Sequence, residues 1–291
     1  MPIFNTTISG GGTTPTGSIS ITNNGTYDVT DKATAVVNVP TTAPALYREF
    51  QLDANGKLEP NKTTTHIMDF TGVTDVSGYA LYYAYYYNTV ISGAVNMGDL
   101  TTVSGQYACY GMFAGCAGLT SANLPALTTI SGNSACSSMF YDCIGLINVN
   151  LSALTTVSAN QGCYSMFQWC TGLISVGLPA LTTISGSNGC KSMFNNCTGL
   201  TSADLPALTT ISGNTACSYM FQNCTSLATV YIGGTTAINF GSNTNQFTNM
   251  FSGCTQNIDV YAPAANQAKV EAMSGYPNFG GTGTVTWHWR S

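Results

Sequence analysis

The stretch CSSMFYDCIGLINVNLSALTTVS, residues 136–158, decides the fold because its pattern returns along the chain. CYGMFAGCAGL starts at Cys109, CYSMFQWCTGL at Cys163, CKSMFNNCTGL at Cys190 and CSYMFQNCTSL at Cys217, so successive copies begin 27 residues apart. A fixed period between about 20 and 50 residues marks a solenoid, in which each unit buries its apolar face only by stacking on its neighbours. Aligned at that step, the coils share Leu119, Leu146, Leu173, Leu200 and Leu227, then Ala122, Val149, Val176, Ala203 and Val230, then Leu124, Leu151, Leu178, Leu205 and Ile232. The last two of these three positions alternate as one face of a short strand does. After Pro125, Pro179 and Pro206, the segments LTTIS and LTTVS add inward residues such as Leu127 and Ile130, and their β-branched content favours extended backbone.

The cysteine-bearing part has another spacing. Cys136, Met139, Phe140 and Cys143 sit at i, i+3, i+4 and i+7, one stripe of a helix, and Leu146 continues the core. The expectation is therefore an α/β solenoid, an array of 27-residue coils each built of a short strand plus a short helix of about two turns, with a small N-terminal β-module.

The repeat decays at both ends. HIMDFTGVTDVSGYALYYAYYYN, from His66, aligns Val73 and Val76 with Leu100 and Val103, and Tyr85 and Tyr86 with Met112 and Phe113. It reads as a cap coil in which tyrosines replace cysteines; Tyr79, Tyr82, Tyr83, Tyr85, Tyr86 and Tyr87 are either that cap or a subunit contact. At the other end Phe247, Met250, Phe251 and Cys254 repeat the stripe after a three-residue insertion. A strand at 258–261, a short helix near 264–273 and a closing strand at 284–289 follow. Four segments result: a Gly/Thr-rich β-module at 1–45 for attachment or linkage, a linker with the Tyr-rich cap coil at 46–92, the repeats at 93–257, and a C-terminal cap at 258–291.

Composition narrows the function. The chain has 291 residues, 44% of them hydrophobic and 7% charged, so hydroxyl and amide groups must cover most of its surface; about 25% charged is usual. With 7 Lys plus Arg and a net charge of −5 it has no basic stripe for phosphates, so neither nucleic acid nor an anionic membrane is an expected partner. Such a surface suits neutral polar ligands such as glycans, or is simply an inert, soluble coat. MPIFNTTISGGG lacks the cationic start and apolar core of a secretory signal, and no stretch reaches the ~18–20 apolar residues of a membrane span, so the expected product is soluble and made in the cytoplasm.

All 11 cysteines lie in the stripe. On a helix, residues seven apart are separated by about 10.5 Å along the axis, too far for a disulfide, and neighbouring helices stand about 8–10 Å apart. The close Cys pairs of a zinc site are missing, so the cysteines are read as small buried hydrophobes, with no metal and no cofactor. Nor is there a catalytic constellation. His66 and His288 lie near opposite ends and read as cap residues, while Asp69, Asp99, Asp142 and Asp204 occupy different positions in their coils, so the chain is not expected to be an enzyme.

The strand face is the better candidate site. Its outward residues are Ser121 and Asn123, Asn148 and Asn150, Ser175 and Gly177, Ser202 and Asp204, then Thr229 and Tyr231. Stacked about 4.8 Å apart, they form either a recognition ladder of amides and hydroxyls ending in an aromatic, or a merely solvated face.

The run MF-x-x-C-x-x-L-x-x-V-x-L-P-x-L-x-x-I resembles the leucine-rich repeats of the BspA-like type, found in bacterial, protist and phage surface proteins, over roughly residues 66–262. The tail IDVYAPAANQAKVEAM is similar to that family's C-terminal cap. The 27-residue coil, longer than the family's common length, and the extra cysteine are departures that bear on curvature. Ahead of the repeats, SISITNNGTYDVTDKATAVVNV alternates like a strand on both sides of an Asn-Gly, a hairpin signal. It resembles short modules of phage tail and tail-fibre proteins, as does YREFQLDANGKL; otherwise it is a plain β-module. These resemblances imply a phage tail-fibre or receptor-binding protein: made in the host cytoplasm, carried in the virion tail, partnered by other tail proteins and by a host surface glycan or protein, and by analogy a possible homotrimer. A bacterial cell-surface adhesin is the alternative.

Overall fold

The computed structural model describes residues 16–21, 35–40, 51–52, 58–59, 74–76 and 81–291, the first four segments as backbone alone. His66, Asp69, Val73 and Tyr79 lie outside the described residues. The coils step along two parallel strand ladders. One joins β5 (Asp75–Val76), β7 (Thr102–Val103), β9 (Thr129–Ile130), β11 (Thr156–Val157), β13 (Thr183–Ile184) and β15 (Thr210–Ile211), which hold the LTTIS-type segments. The hairpin of β1 (Thr16–Ile21) and β2 (Ala35–Pro40) extends its first edge, with Val37 paired antiparallel to Val76. β3 (Gln51–Leu52) and β4 (Leu58–Glu59) pair separately.

The other ladder has two blocks. β6 (Ser92–Asn96), β8 (Gly118–Asn123) and β10 (Asn148–Asn150) form the first; β12 (Ser175–Gly177), β14 (Ser202–Leu205), β16 (Thr229–Ile232), β17 (Ile258–Pro263) and β18 (Val285–Arg290) form the second. β10 and β12 are neighbouring coils, yet they do not join into one sheet. After β17 come a 3-10 turn at Ala264–Asn266 and α1 (Gln267–Glu271), the single α-helix among the described residues. Buried Asn266 ties this cap to the inserted loop, accepting from the Ile238 N–H and donating to its carbonyl.

The short helix expected in every coil is not formed. From Gly132 to Cys143 the chain runs through overlapping four-residue turns: the N–H groups of Ala135, Ser137, Met139, Tyr141 and Cys143 each bond three residues back. The intervening N–H groups of Ser134, Cys136, Ser138, Phe140 and Asp142 instead reach carbonyls of the next coil. A left-handed residue recurs every fourth position, Ser134, Ser138 and Asp142 at φ 52, 54 and 57°, which puts a type II geometry at every second turn. Inward pairs therefore repeat with period 4, and over eight residues i, i+3, i+4 and i+7 fit that period as well as a helix. Ser, Asn, Gly and Cys, weak helix formers, fill these stretches. Trading half the local bonds for inter-coil bonds lets the coils close to the strand spacing, which side-by-side helices, about 8–10 Å apart, do not allow.

That close step builds the core. Tyr85, Phe113, Phe140, Phe167, Phe194, Phe221 and Phe251 stack as one column with centroids 5.2 to 6.2 Å apart and planes within 10°. Apart from half-buried Val149, the Leu, Ile, Val and Ala rows beside it are almost fully buried, as are Cys136, Met139, Phe140, Cys143 and Leu146. The cap coil reaches the column one residue early, a step of 28 to the next coil instead of 27: Tyr85, not Tyr86, faces Phe113, and Leu81 and Asn88, not tyrosines, hold the cysteine positions. Tyr82, Tyr83, Tyr86 and Tyr87 pack outside the core, where the Tyr83 and Tyr87 rings lie over Gly111 and Gly115 and leave no room for a Cβ at either.

The described cysteines are free and buried. The inter-helix distance that argued against bridges vanishes with the helices, and a different role is visible. The second thiol of each coil donates to a ring residue's carbonyl in the preceding coil: Cys116 to Tyr85, Cys143 to Phe113, Cys170 to Phe140, Cys197 to Phe167, Cys224 to Phe194 and Cys254 to Phe221, all at 3.0–3.1 Å. Burial pushes the thiol pKa up to about 12 at Cys116 and Cys197 and about 11 at Cys254.

Two outcomes follow. Phe167→Ala removes the middle of the column and should lower unfolding free energy by about 3–5 kcal/mol in denaturant titration. The raised thiol pKa values mean that the folded chain keeps protons which the unfolded chain loses above about pH 9, so stability is full below that pH and declines above it. The decline is about 1.4 kcal/mol per pH unit for each such thiol. Thermal melts from pH 8 to 10.5 should show it, and Cys116→Ala, Cys197→Ala and Cys254→Ala together should make it shallower without abolishing it, because burial also raises the thiols of Cys143, Cys170, Cys217 and Cys224.

Candidate functional site

The second ladder positions the outward residues singled out in the sequence, and does so in two groups. Ser121 and Asn123 pair in register with Asn148 and Asn150. The Asn123 amide donates to Asn96 Oδ1 at 2.8 Å, whereas Asn150 turns its Oδ1 to its own strand end, accepting from the Ser152 N–H at 3.1 Å. Beyond the break, Ser175, Ser202 and Thr229 form one row, and Gly177, Asp204 and Tyr231 form another.

Both rows continue into the cap. The first passes through Asp259 to Thr286, the second through Tyr261 to His288. Tyr261 stacks between Tyr231 and His288, with centroids 4.7 and 4.6 Å apart and planes tilted by 16° at each contact. His288 Nε2 lies 2.8 Å from Asp259 Oδ1, and the Arg290 guanidinium sits 5.4 Å from the Tyr231 centroid while donating to the Gly233 carbonyl. His288 is thus part of the face and not only of the cap. The signal was present in the sequence, since Tyr231, Tyr261 and His288 follow the coil step once the three-residue insertion is counted, but it required the cap to stack in register.

Electrostatically this end is distinct. Residues 74–291 carry few charges, yet Asp204, Asp259 and Arg290 share the face with His288. The His288 and Asp259 side chains are 41% and 52% exposed, so water screens the pair and it adds little stability. Asp99 and Asp142 stand away from these rows, on other stretches of their coils. The arrangement offers hydrogen-bond donors and acceptors, aromatic edges and both signs of charge on an open surface, which is the equipment of recognition.

Tyr261→Ala removes two ring contacts of about 0.5–1.5 kcal/mol each and should cost about 1–3 kcal/mol on unfolding. The loss should fall to about half in a background where His288 is already Ala, since one contact then remains.

In comparison with known proteins, the BspA type leucine rich repeat region matches residues 83–228, in 6 copies. A search of the curated proteins finds no match.

Proposed function

Since the chain belongs to the BspA-type leucine-rich repeat family, we propose that its solenoid is a surface-recognition module and that the second strand ladder is its recognition face. The observation that carries this reading is the register of that face: Ser, Asn, Asp, Thr and Tyr stand in rows on successive coils, continued by Asp259, Tyr261, Thr286 and His288. Rows of neutral donors and acceptors with few charges suit a glycan or protein on a cell envelope, and no enzymatic step, cofactor or metal is part of the proposal. The finer assignment is a phage tail-fibre or receptor-binding protein, carried in the virion tail with other tail proteins and, by analogy with fibre proteins, as a homotrimer. The likeness of residues 18–39 to tail modules supports it. The alternative, a bacterial cell-surface adhesin, is supported by the repeat family alone.

Labelled full-length protein should bind intact cells of a Gram-positive and gut bacterial panel saturably and with strain restriction. Asn148→Ala and Asn150→Ala combined with Asp204→Ala and Tyr231→Ala should weaken that binding at least tenfold without changing the fold. Absence of binding across the panel would defeat the reading, and antibody labelling of purified particles separates virion from adhesin.

A further inference from the structure

Four of the large apolar side chains left exposed gather on two neighbouring coils. Ile144 and Ile147 are 50% and 47% exposed on one, and Trp169 and Ile174 are 40% and 50% exposed on the next. Ile147 and Ile174 hold the same coil position, and residues 171–172 join the other two: the Thr171 N–H donates to the Trp169 carbonyl and the Gly172 N–H to the Ile144 carbonyl. The fold does not require this patch. Other coils carry Thr120, Thr201 or Ala228 at the isoleucine position and fold alike.

Two further observations converge on the same coils. Trp169 adopts φ 67° at a position where the other repeats use Gly115, Asp142, Asn196, Asn223 and Gly253, residue types that tolerate left-handed backbone, and where the cap coil carries the other large ring, Tyr87 at φ 54°. Trp169 is 40% exposed there, so burial offsets only part of the cost of left-handed backbone, and such a residue points to function. The strand ladder also breaks between these coils, at β10 and β12, and Val149 is half-buried where Ala122, Val176, Ala203 and Val230 are buried.

The chemistry selects the occupant. Sugars stack on open aromatic faces, but the strand-face rings Tyr231, Tyr261 and His288 cover one another, and the patch itself is mostly aliphatic. Two carboxylates flank it: Asp142 at the Trp169 position one coil earlier, and Asp204 in register with Gly177 one coil later. Neither forms an ion pair among the described residues. We infer that Ile144, Ile147, Trp169 and Ile174 anchor a protein partner, a polypeptide segment that presents apolar side chains beside a Lys or Arg. This rests on the surface-recognition reading above and names its ligand class. Apolar anchors supply the holding contacts, and the flanking acids steer the approach and fix the orientation.

The test uses full-length wild type, Trp169→Asn alone, and Trp169→Asn with Ile147→Thr and Ile174→Thr, all residues that other coils carry at these places. Each is titrated onto panel cells that are untreated, protease-stripped or periodate-oxidised. The expected result is a Tm for Trp169→Asn equal to or above wild type, binding weakened at least threefold by it and at least tenfold by the triple variant. Wild-type binding should be lost on protease-stripped cells and kept on periodate-treated ones. Should the triple variant unfold, Trp169→Asn decides. Variants that bind like wild type, or binding that survives protease and disappears with periodate, overturn the protein-partner inference while leaving surface recognition intact. No wild-type binding to any strain removes both.

Discussion

The backbone hydrogen bond from one coil to the next is the constraint on which the molecule depends. It operates on the strand side, as in any parallel ladder, and again on the turn side, where every second N–H between Gly132 and Cys143 crosses to the following coil. Both sides of a coil therefore advance by similar distances: ring centroids repeat at 4.7 Å on the strand face and at 5.4–5.8 Å through the phenylalanine column. A helix on the turn side would satisfy its own amides and hold the coils about 8–10 Å apart there, opening the array into a strong curve. Tandem turns instead keep the two spacings close.

The composition of the repeat follows from that step. Flat rings fit a spacing near 5.5 Å face to face, so a single Phe per coil fills the column. Left-handed backbone every fourth residue costs something at each non-glycine position; Ser, Asn, Asp and Gly keep that cost small at many of them, while Tyr107, Gln161, Trp169, Thr215 and Tyr219 bear it in full. Cysteine meets two demands at once, being small enough for the tight step and carrying a proton for the Phe carbonyl of the preceding coil. The same burial that makes the thiols good structural donors disfavours their thiolates, so they are poor nucleophiles in the folded chain.

With the core so uniform, individuality lies on the surface. The repeat places equivalent residues in rows, and any departure from the row stands out against the coils that fold without it. Asp204, Tyr231 and the cap residues stacked on them are one such departure, and the exposed isoleucines with Trp169 are another. Both belong to the coils that follow the interruption of the strand ladder or border it.

By itself the sequence determined the period, the inward rows of Leu, Val and Ile, the burial of the cysteines, and the strand, helix and strand of the C-terminal cap, because these are properties of one coil repeated. It could not separate a helix from tandem turns, since Cys136, Met139, Phe140 and Cys143 satisfy either over so short a run. Only the tertiary structure decided between them, through bonds that join residues 26 apart, as Cys136 to Gly162 and Phe140 to Met166. The same long-range register set Tyr85 against Phe113, carried the face on to Tyr261 and His288, and parted β10 from β12. A coil's sequence encodes which residues face inward; how closely the next coil approaches, and so which outward residues meet, is fixed only when the two stack.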